Sequence, residues 1–410
     1  MQVNKEERSL ILSGFFWNTL GSIINALQGV LLLAIITRLS NAYVGGLFSL
    51  AYAIGQQYRP LGAFETRVFQ VTDTKGQFSF QTYHSARLIT CLAMVVAILI
   101  QCVGSSGLSG DTLALFLIAG LRLADAYEDV YQGQLQRLGR LDLGARSYCI
   151  RVCITTVVFC VVFAGTGNLL LTAIVTSAIT FVSVLLLNIP ISKSVFNVEL
   201  RFSKQQILKL FSICFPLFIS AFLSSYLANA SKFAVERALS MEALTIYSIL
   251  VMPSMVINLI GGFVFQPMLS TLADTFAEQG WNGFISLIKK GVIGSALVSV
   301  PIVIVAGFIG LPILSAIYLV DLSPYLDSLI VLLIAGAFNV VCTVLYYGLV
   351  TMRCQRAILI SYVAAGLLAL LVSVPIVSAL GVLGAGMSYL LTMAFLCLLL
   401  CYSLYSNKLN

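Results

Sequence analysis

Apolar runs of about 20 residues recur along the whole chain, separated by short polar links, and a run of that length at about 1.5 Å per residue matches the thickness of a bilayer core. Read this way the sequence predicts twelve membrane-spanning helices, with approximate limits 12–36, 42–63, 86–104, 112–133, 147–165, 168–188, 207–230, 243–266, 291–309, 327–350, 357–379 and 382–404. The expected fold class is an all-α polytopic membrane protein. Pro216, Pro253, Pro301 and Pro375 fall inside spans seven, eight, nine and eleven, where each removes a backbone hydrogen bond and favours a kink. The links expected outside are short, down to Leu380 and Gly381 between the last two spans. The longest links expected inside, 64–85, 189–206 and 267–290, have room for a short interfacial helix but not for a nucleotide-binding domain.

The link at 189–206 divides the chain into two lobes of six spans, 1–197 and 198–410. A weak repeat supports the division. At an offset of 199 residues Arg38 aligns with Arg237, and Leu47-Phe48-Ser49-Leu50 aligns with Ile246-Tyr247-Ser248-Ile249. An even number of spans per lobe gives both lobes the same orientation, so the repeats are expected to be parallel, about an axis along the membrane normal.

Composition agrees with the pattern. The 410 residues are 60% hydrophobic and 10% charged, with a mean hydropathy of +1.01. The net charge of +7 is read as a topology signal. With the N-terminus in the cytoplasm, all of the 23 Lys and Arg except Arg38, Arg122, Lys232 and Arg237 fall in inner segments or at their edges. A missed span would reverse every later link and destroy that bias. The expectation is a multi-pass protein of the cell (plasma) membrane with both termini cytoplasmic. MQVNKEERS precedes a long apolar stretch without a cleavage-like site and is read as leading into the first span. No basic patch interleaves with aromatics outside the membrane, so no nucleic-acid partner is expected. The ten cysteines lie mostly within spans and form no CxxC pair, and His84 is the single histidine. They are read as packing residues, with no metal or other cofactor. The sequence has no GxxxxGK[ST] loop and no Ser-His-Asp or Cys-His arrangement, so an enzyme is not expected.

The chemistry is concentrated in the fourth span. Arg122, Asp125, Asp129, Gln132 and Gln136 fall within a helical stripe roughly 80° wide, with Glu128 just off its edge and Tyr127 and Tyr131 on the opposite side. A helix entering the bilayer near Thr112 puts Arg122 about 15 Å deep, near the midplane, where charge cannot face lipid. Two readings follow. In one, Arg122 holds an anionic head group while Asp125, Glu128 and Asp129 bind a coupling cation or pair with it. In the other, the charges are buried pairs that fix helix packing; three acids against one local base favour the first. Asn229, Lys232, Glu236 and Arg237 form a second group at the outer end of span seven, and Arg38 holds the equivalent place in span one. Asn18, Asn25, Gln28, Gln56 and Gln57 add polar side chains that serve either a cavity wall or interhelical hydrogen bonds.

Five stretches carry a resemblance: TRLSNAYVGGLFSLAYAI at 37–54, RVFQVTD at 67–73, DAYEDVYQGQLQRLGRLDLGA at 125–145, the run from Asn229 to Ala273, and LGVLGAGMSYLL at 380–391. Together, over essentially the whole length, the chain resembles the polysaccharide transporters, or oligosaccharide flippases, of the multidrug/oligosaccharidyl-lipid/polysaccharide exporter superfamily. The resemblance implies a V-shaped pair of lobes working by alternating access. It also implies that a polyprenyl-diphosphate-linked oligosaccharide is moved from the inner to the outer leaflet for capsule, O-antigen or cell-wall polymer synthesis. Glycosyltransferases and a polysaccharide polymerase would then be partners. Arg122 with Arg38, Lys232 and Arg237 would meet the diphosphate, and Gln28, Gln56, Gln57 and Gln132 the sugars, with Asp125 and Asp129 beside them. The competing expectations are a drug/cation antiporter of the same superfamily, whose site would need acids and aromatics, a lipid-linked peptidoglycan-precursor flippase, and a non-transporting scaffold for glycosyltransferases.

Overall fold

A computed structural model describes residues 5–73, 76–107, 109–196, 202–265 and 268–407. The chain forms two compact units, Met1–Phe222 and Leu223–Asn410. The lobe boundary expected at 197/198 lies outside the described residues.

Unit 1 holds α1 (Lys5–Leu39), α2 (Ala42–Ala63), α3 (Thr66–Thr72), α4 (Phe80–Ser106), α5 (Gly110–Arg137), α6 (Leu141–Thr166), α7 (Leu169–Lys193) and the first half of α8 (Lys204–Ala238). Unit 2 holds the rest of α8, then α9 (Met241–Leu250), α10 (Met252–Phe265), α11 (Met268–Tyr318), α12 (Leu326–Thr351) and α13 (Gln355–Ser406). α3 is the short helix expected in the 64–85 link.

Nine segments among the described residues are long and apolar enough to cross a membrane. α5 falls outside that set because of its charges, and α2, which carries Gln56 and Gln57, falls outside it too. α13 is one of the nine although it turns at Gly381 (φ 61°, ψ −138°), the place expected for the link between the last two spans. That conformation is open to glycine and strained for any residue with a Cβ. The expected twelve crossings therefore require α2, α5 and both arms of α13 to cross. Span eight is broken into α9 and α10, with Pro253 in the first turn of α10, where its missing N–H is tolerated.

The repeat seen in the sequence has a local counterpart in each unit. α1 ends at Leu39 with Arg38 in its last turn, and Asn41 then caps α2 by accepting from the Val44 N–H at 3.0 Å. α8 ends at Ala238 with Arg237 in its last turn, and Ser240 caps α9 by accepting from the Ala243 N–H at 3.3 Å. Both helix ends and both new starts are 199 residues apart. A side-chain oxygen at each N-cap satisfies a backbone donor that the first turn leaves open.

In unit 1, α5 is the hub, packed against α2, α3, α4, α6 and α7. The α2–α5 approach depends on Gly55: a Cβ there would lie 2.7 Å from the Ala119 carbonyl oxygen and 2.9 Å from Cγ of Arg122. That close approach brings Tyr52 over the arginine. In unit 2 the interior is largely apolar. Leu329, Leu332, Leu333 and Ala335 of α12 and Ala385 and Leu400 of α13 are fully buried, and Ser231 and Ser388 pair at 2.9 Å.

Candidate functional site: two arginine–carboxylate networks and a cavity

The α5 stripe is real, but it divides between two networks. In the first, Arg122 donates from Nη1 to Oδ2 of Asp125 at 2.7 Å and to Oδ1 of Asn25 at 2.8 Å. Its Nη2 donates to Gln28 at 3.4 Å and to the hydroxyl of Tyr52, whose ring centroid is 4.5 Å from the guanidinium carbon. Gln28 in turn donates to Thr156 at 2.9 Å. From α6, Arg151 donates to Oδ1 of Asp125 at 2.5 Å and to Oε1 of Glu128 at 2.6 Å, and Asn188 of α7 donates to Glu128 at 3.4 Å. The four charged side chains are at most 5% exposed. Two guanidiniums and two carboxylates close the charge count, so this network is balanced in charge and buried.

The second network lies nearer the C-terminal end of α5. Asp129 accepts from Arg87 of α4 at 2.8 Å and from Arg67 of α3 at 3.1 Å. Arg87 also donates to the Gly62 carbonyl at 2.8 Å and to Thr66 at 3.0 Å. Arg67 donates to Gln132 at 3.0 Å and to Gln136 at 2.9 Å. Here two guanidiniums face one carboxylate. On the far side of α5, Tyr127 and Tyr131 meet His84 through their hydroxyls at 3.3 and 3.2 Å, and each other at 3.1 Å.

A cavity of about 420 Å³ opens beside this second network, lined by Arg59, Pro60, Ala63, Glu65, Arg67, Val68, Val71, Thr72, Asp129 and Gln136. Its wall includes a sharp corner between α2 and α3. Phe64 and Glu65 are both left-handed (φ 46° and 50°), uncommon for residues with a Cβ. The Phe64 ring holds the corner by stacking on Phe218 at 4.5 Å and packing on Phe211 at 4.8 Å.

The residues expected from sequence are thus partly brought together. Arg122, Asp125, Glu128 and Gln28 meet in the first network, Asp129 and Gln132 in the second. Gln57 is buried and donates to the Phe222 carbonyl at 3.4 Å, while Gln56 is half-buried on the same helix. Arg38 is exposed at the end of unit 1 where α2 begins, whereas the cavity lies where α2 stops. Lys232, buried, and Arg237, exposed, belong to unit 2.

The sequence reading set three acids against one local base; the folded unit supplies three more arginines, Arg67, Arg87 and Arg151. Their positions hid them. α4 begins at Phe80 and α6 at Leu141, each six residues before the apolar window expected for its span, so Arg87 and Arg151 looked like rim charges although they sit well inside helices. An arginine two or three turns into a helix, in the same half of the chain as a buried acid, is the signal that would have found them.

No protein-family model matches the chain, and no curated protein matches it in sequence. Solved structures do match in fold. The chain is similar to the lipid II flippase MurJ in an inward closed conformation (12% identity, 97% of this chain and 87% of that one, TM-score 0.71). It is similar to an inward-facing multidrug resistance MATE family transporter of the MOP superfamily (12% identity, 93% of each chain, TM-score 0.69). A MOP superfamily transporter from Pyrococcus furiosus, described as having a reversed binding-pocket polarity that suggests a different function, also matches (13% identity, 97% and 95% coverage, TM-score 0.55). At these identities the likeness speaks for architecture: the described residues have the helical fold of the MATE transporters and of MurJ.

Proposed function

We propose that the protein is a flippase for an anionic lipid-linked saccharide, a polyprenyl-diphosphate-linked oligosaccharide moved from the inner to the outer leaflet. One observation carries the reading: four arginines, Arg67, Arg87, Arg122 and Arg151, face three carboxylates, Asp125, Glu128 and Asp129, in the two unit 1 networks, and every one of those carboxylates is held by at least one guanidinium. A site for cationic drugs needs unengaged acids. A surplus of guanidinium suits phosphate, whose oxygens match the planar fork bidentately. The fold relatives differ in pocket polarity, so the sign of the buried charge is a reasonable discriminator within this architecture.

In this reading Arg122 exchanges Asp125 for the diphosphate during the cycle, and Asp125 keeps Arg151. Gln28, Gln56, Gln57 and Gln132 offer amides to sugar hydroxyls. Arg38, Lys232 and Arg237 add positive charge along the route. A coupling cation at Asp125, Glu128 or Asp129 would have to displace an arginine first. The membrane is the plasma membrane, with both termini inside, and glycosyltransferases and a polymerase act before and after the flip.

The test is reconstitution into proteoliposomes with a fluorescent short-chain polyprenyl-diphosphate saccharide. Protein-dependent loss of inner-leaflet signal supports the reading. No flipping, together with protein-dependent uptake of a cationic dye against a proton gradient, favours the antiporter.

A further inference from the structure

The cavity beside the second network has a feature that the buried pairs lack. Arg59, exposed, and Glu65, half-buried, both line it, and neither side chain makes a hydrogen bond or closes an ion pair with a described residue. Elsewhere in this part of unit 1 the opposite charges find each other: Asp129 is held by Arg67 and Arg87 at 3.1 and 2.8 Å. A cation and an anion that share one cavity without closing an ion pair are two halves of a recognition site for a ligand that carries both an acceptor and a donor. The carboxylate is also held there at some conformational expense, since Glu65 and its neighbour Phe64 are both left-handed and Phe64 is pinned by Phe211 and Phe218.

The geometry points to a binding site for a phosphate ester with a hydrogen-bond donor close to the phosphate, in which Arg59 binds the phosphate oxygens and Glu65 accepts from the donor. Arg67 is already committed to Asp129, Gln132 and Gln136, so it adds field and not a free fork. A volume of about 420 Å³ suits a head group of one or two phosphates and a single polar unit no larger than one sugar, and not a whole oligosaccharide. The apolar stretch of wall at Val68 and Val71 suits the first carbons of an attached chain. Two sources share this chemistry. One is the diphosphate with its first sugar, whose hydroxyl or amide is the donor; this source rests on the transport reading above. The other is a bilayer lipid with a phosphoethanolamine head, whose ammonium is the donor; this source does not rest on it.

Binding to the purified full-length chain in detergent, followed by native mass spectrometry, separates the possibilities. Four short-chain probes are compared: isoprenyl diphosphate with and without one N-acetylhexosamine, and phosphatidylethanolamine and phosphatidylcholine of equal chain length. Arg59→Gln is expected to weaken all bound probes about tenfold, the loss of a charge-assisted bond. Glu65→Gln is expected to lower, several-fold, the ratio of donor-bearing to donor-free binding within the pair that occupies the site. Arg59 closes no ion pair with a described residue, and the thermal midpoint of Arg59→Gln checks that the variant is folded. Tighter, Glu65-sensitive binding of the sugar pair assigns the site to an export substrate, and of the ethanolamine pair to a membrane lipid. Binding of all probes to Arg59→Gln as tightly as to the wild type, an unchanged ratio in Glu65→Gln, or no binding of any probe overturns the site. Failure of the flipping assay alone leaves the ethanolamine arm intact, so the two readings fail separately.

Discussion

The two units build their interiors from opposite materials. Six ion pairs lie within unit 1, and five of them converge on three acids of one helix. Unit 2 is packed with leucine, alanine and small hydroxyls, and its buried cation, Lys232, makes no hydrogen bond or ion pair with a described residue. Both units open with the same helix–cap–helix motif, so the difference was not set by the local architecture at their starts. It was set by which helix carries charge. Buried pairs add little net stability over an apolar core, because desolvation offsets most of the attraction.

The largest effect expected from this contrast is in stability. Arg151→Met strands Glu128 in a buried interior and leaves Asp125 with Arg122 alone, and should destabilise the protein by about 3–5 kcal/mol. Lys232→Met removes a buried cation that leaves no partner behind, and should be neutral or stabilising. Thermal unfolding of both variants in the same detergent compares them; an equal loss in each would break the distinction between the units. Next comes Gly55→Ala, which pushes α2 off α5 by driving a methyl into the Ala119 carbonyl, with an expected cost of about 1–3 kcal/mol. The Tyr52–Arg122 contact should loosen with it.

Arg122 sharpens the contrast functionally. Arg122→Lys keeps charge beside Asp125 but loses the fork, so membrane abundance should stay near normal while transport per molecule falls; Arg122→Ala should transport less still. Full transport per molecule in Arg122→Ala would make the first network a packing device only. The smallest effects belong to the rims. Arg237→Gln, exposed in the last turn of α8, should change stability by no more than about 0.5 kcal/mol.

Much of the fold was legible because hydropathy and glycine act locally. The turn at Gly381, the break near Pro253 and the matched starts of α2 and α9 follow from residues next to each other in the chain. The α5 stripe was legible for the same reason, since helical periodicity relates residues on one element. Its partners were not. Arg67 lies on a seven-residue helix inside a polar link, and Arg87 and Arg151 lie in the first residues of the windows 86–104 and 147–165, where positive charge reads as a marker of the inner membrane edge. The pairing of Glu128 with Arg151 and of Asp129 with Arg87 is set by helix packing, which no single helix encodes. The cavity was invisible for a further reason: it depends on the left-handed corner at Phe64 and Glu65, held by aromatic contacts to α8 more than 140 residues away.

The central claim is that the positive surplus of unit 1 serves an anionic lipid-linked saccharide. Its most direct measurement is the leaflet distribution of that lipid in cells depleted of the protein, read with an impermeant glycan-modifying reagent. The account predicts that lipid-linked saccharide accumulates on the inner leaflet, shielded from the reagent in intact cells, while the surface polymer is lost. Normal surface polymer, with the lipid-linked saccharide still reaching the outer leaflet and resistance to toxic cations reduced, would contradict it.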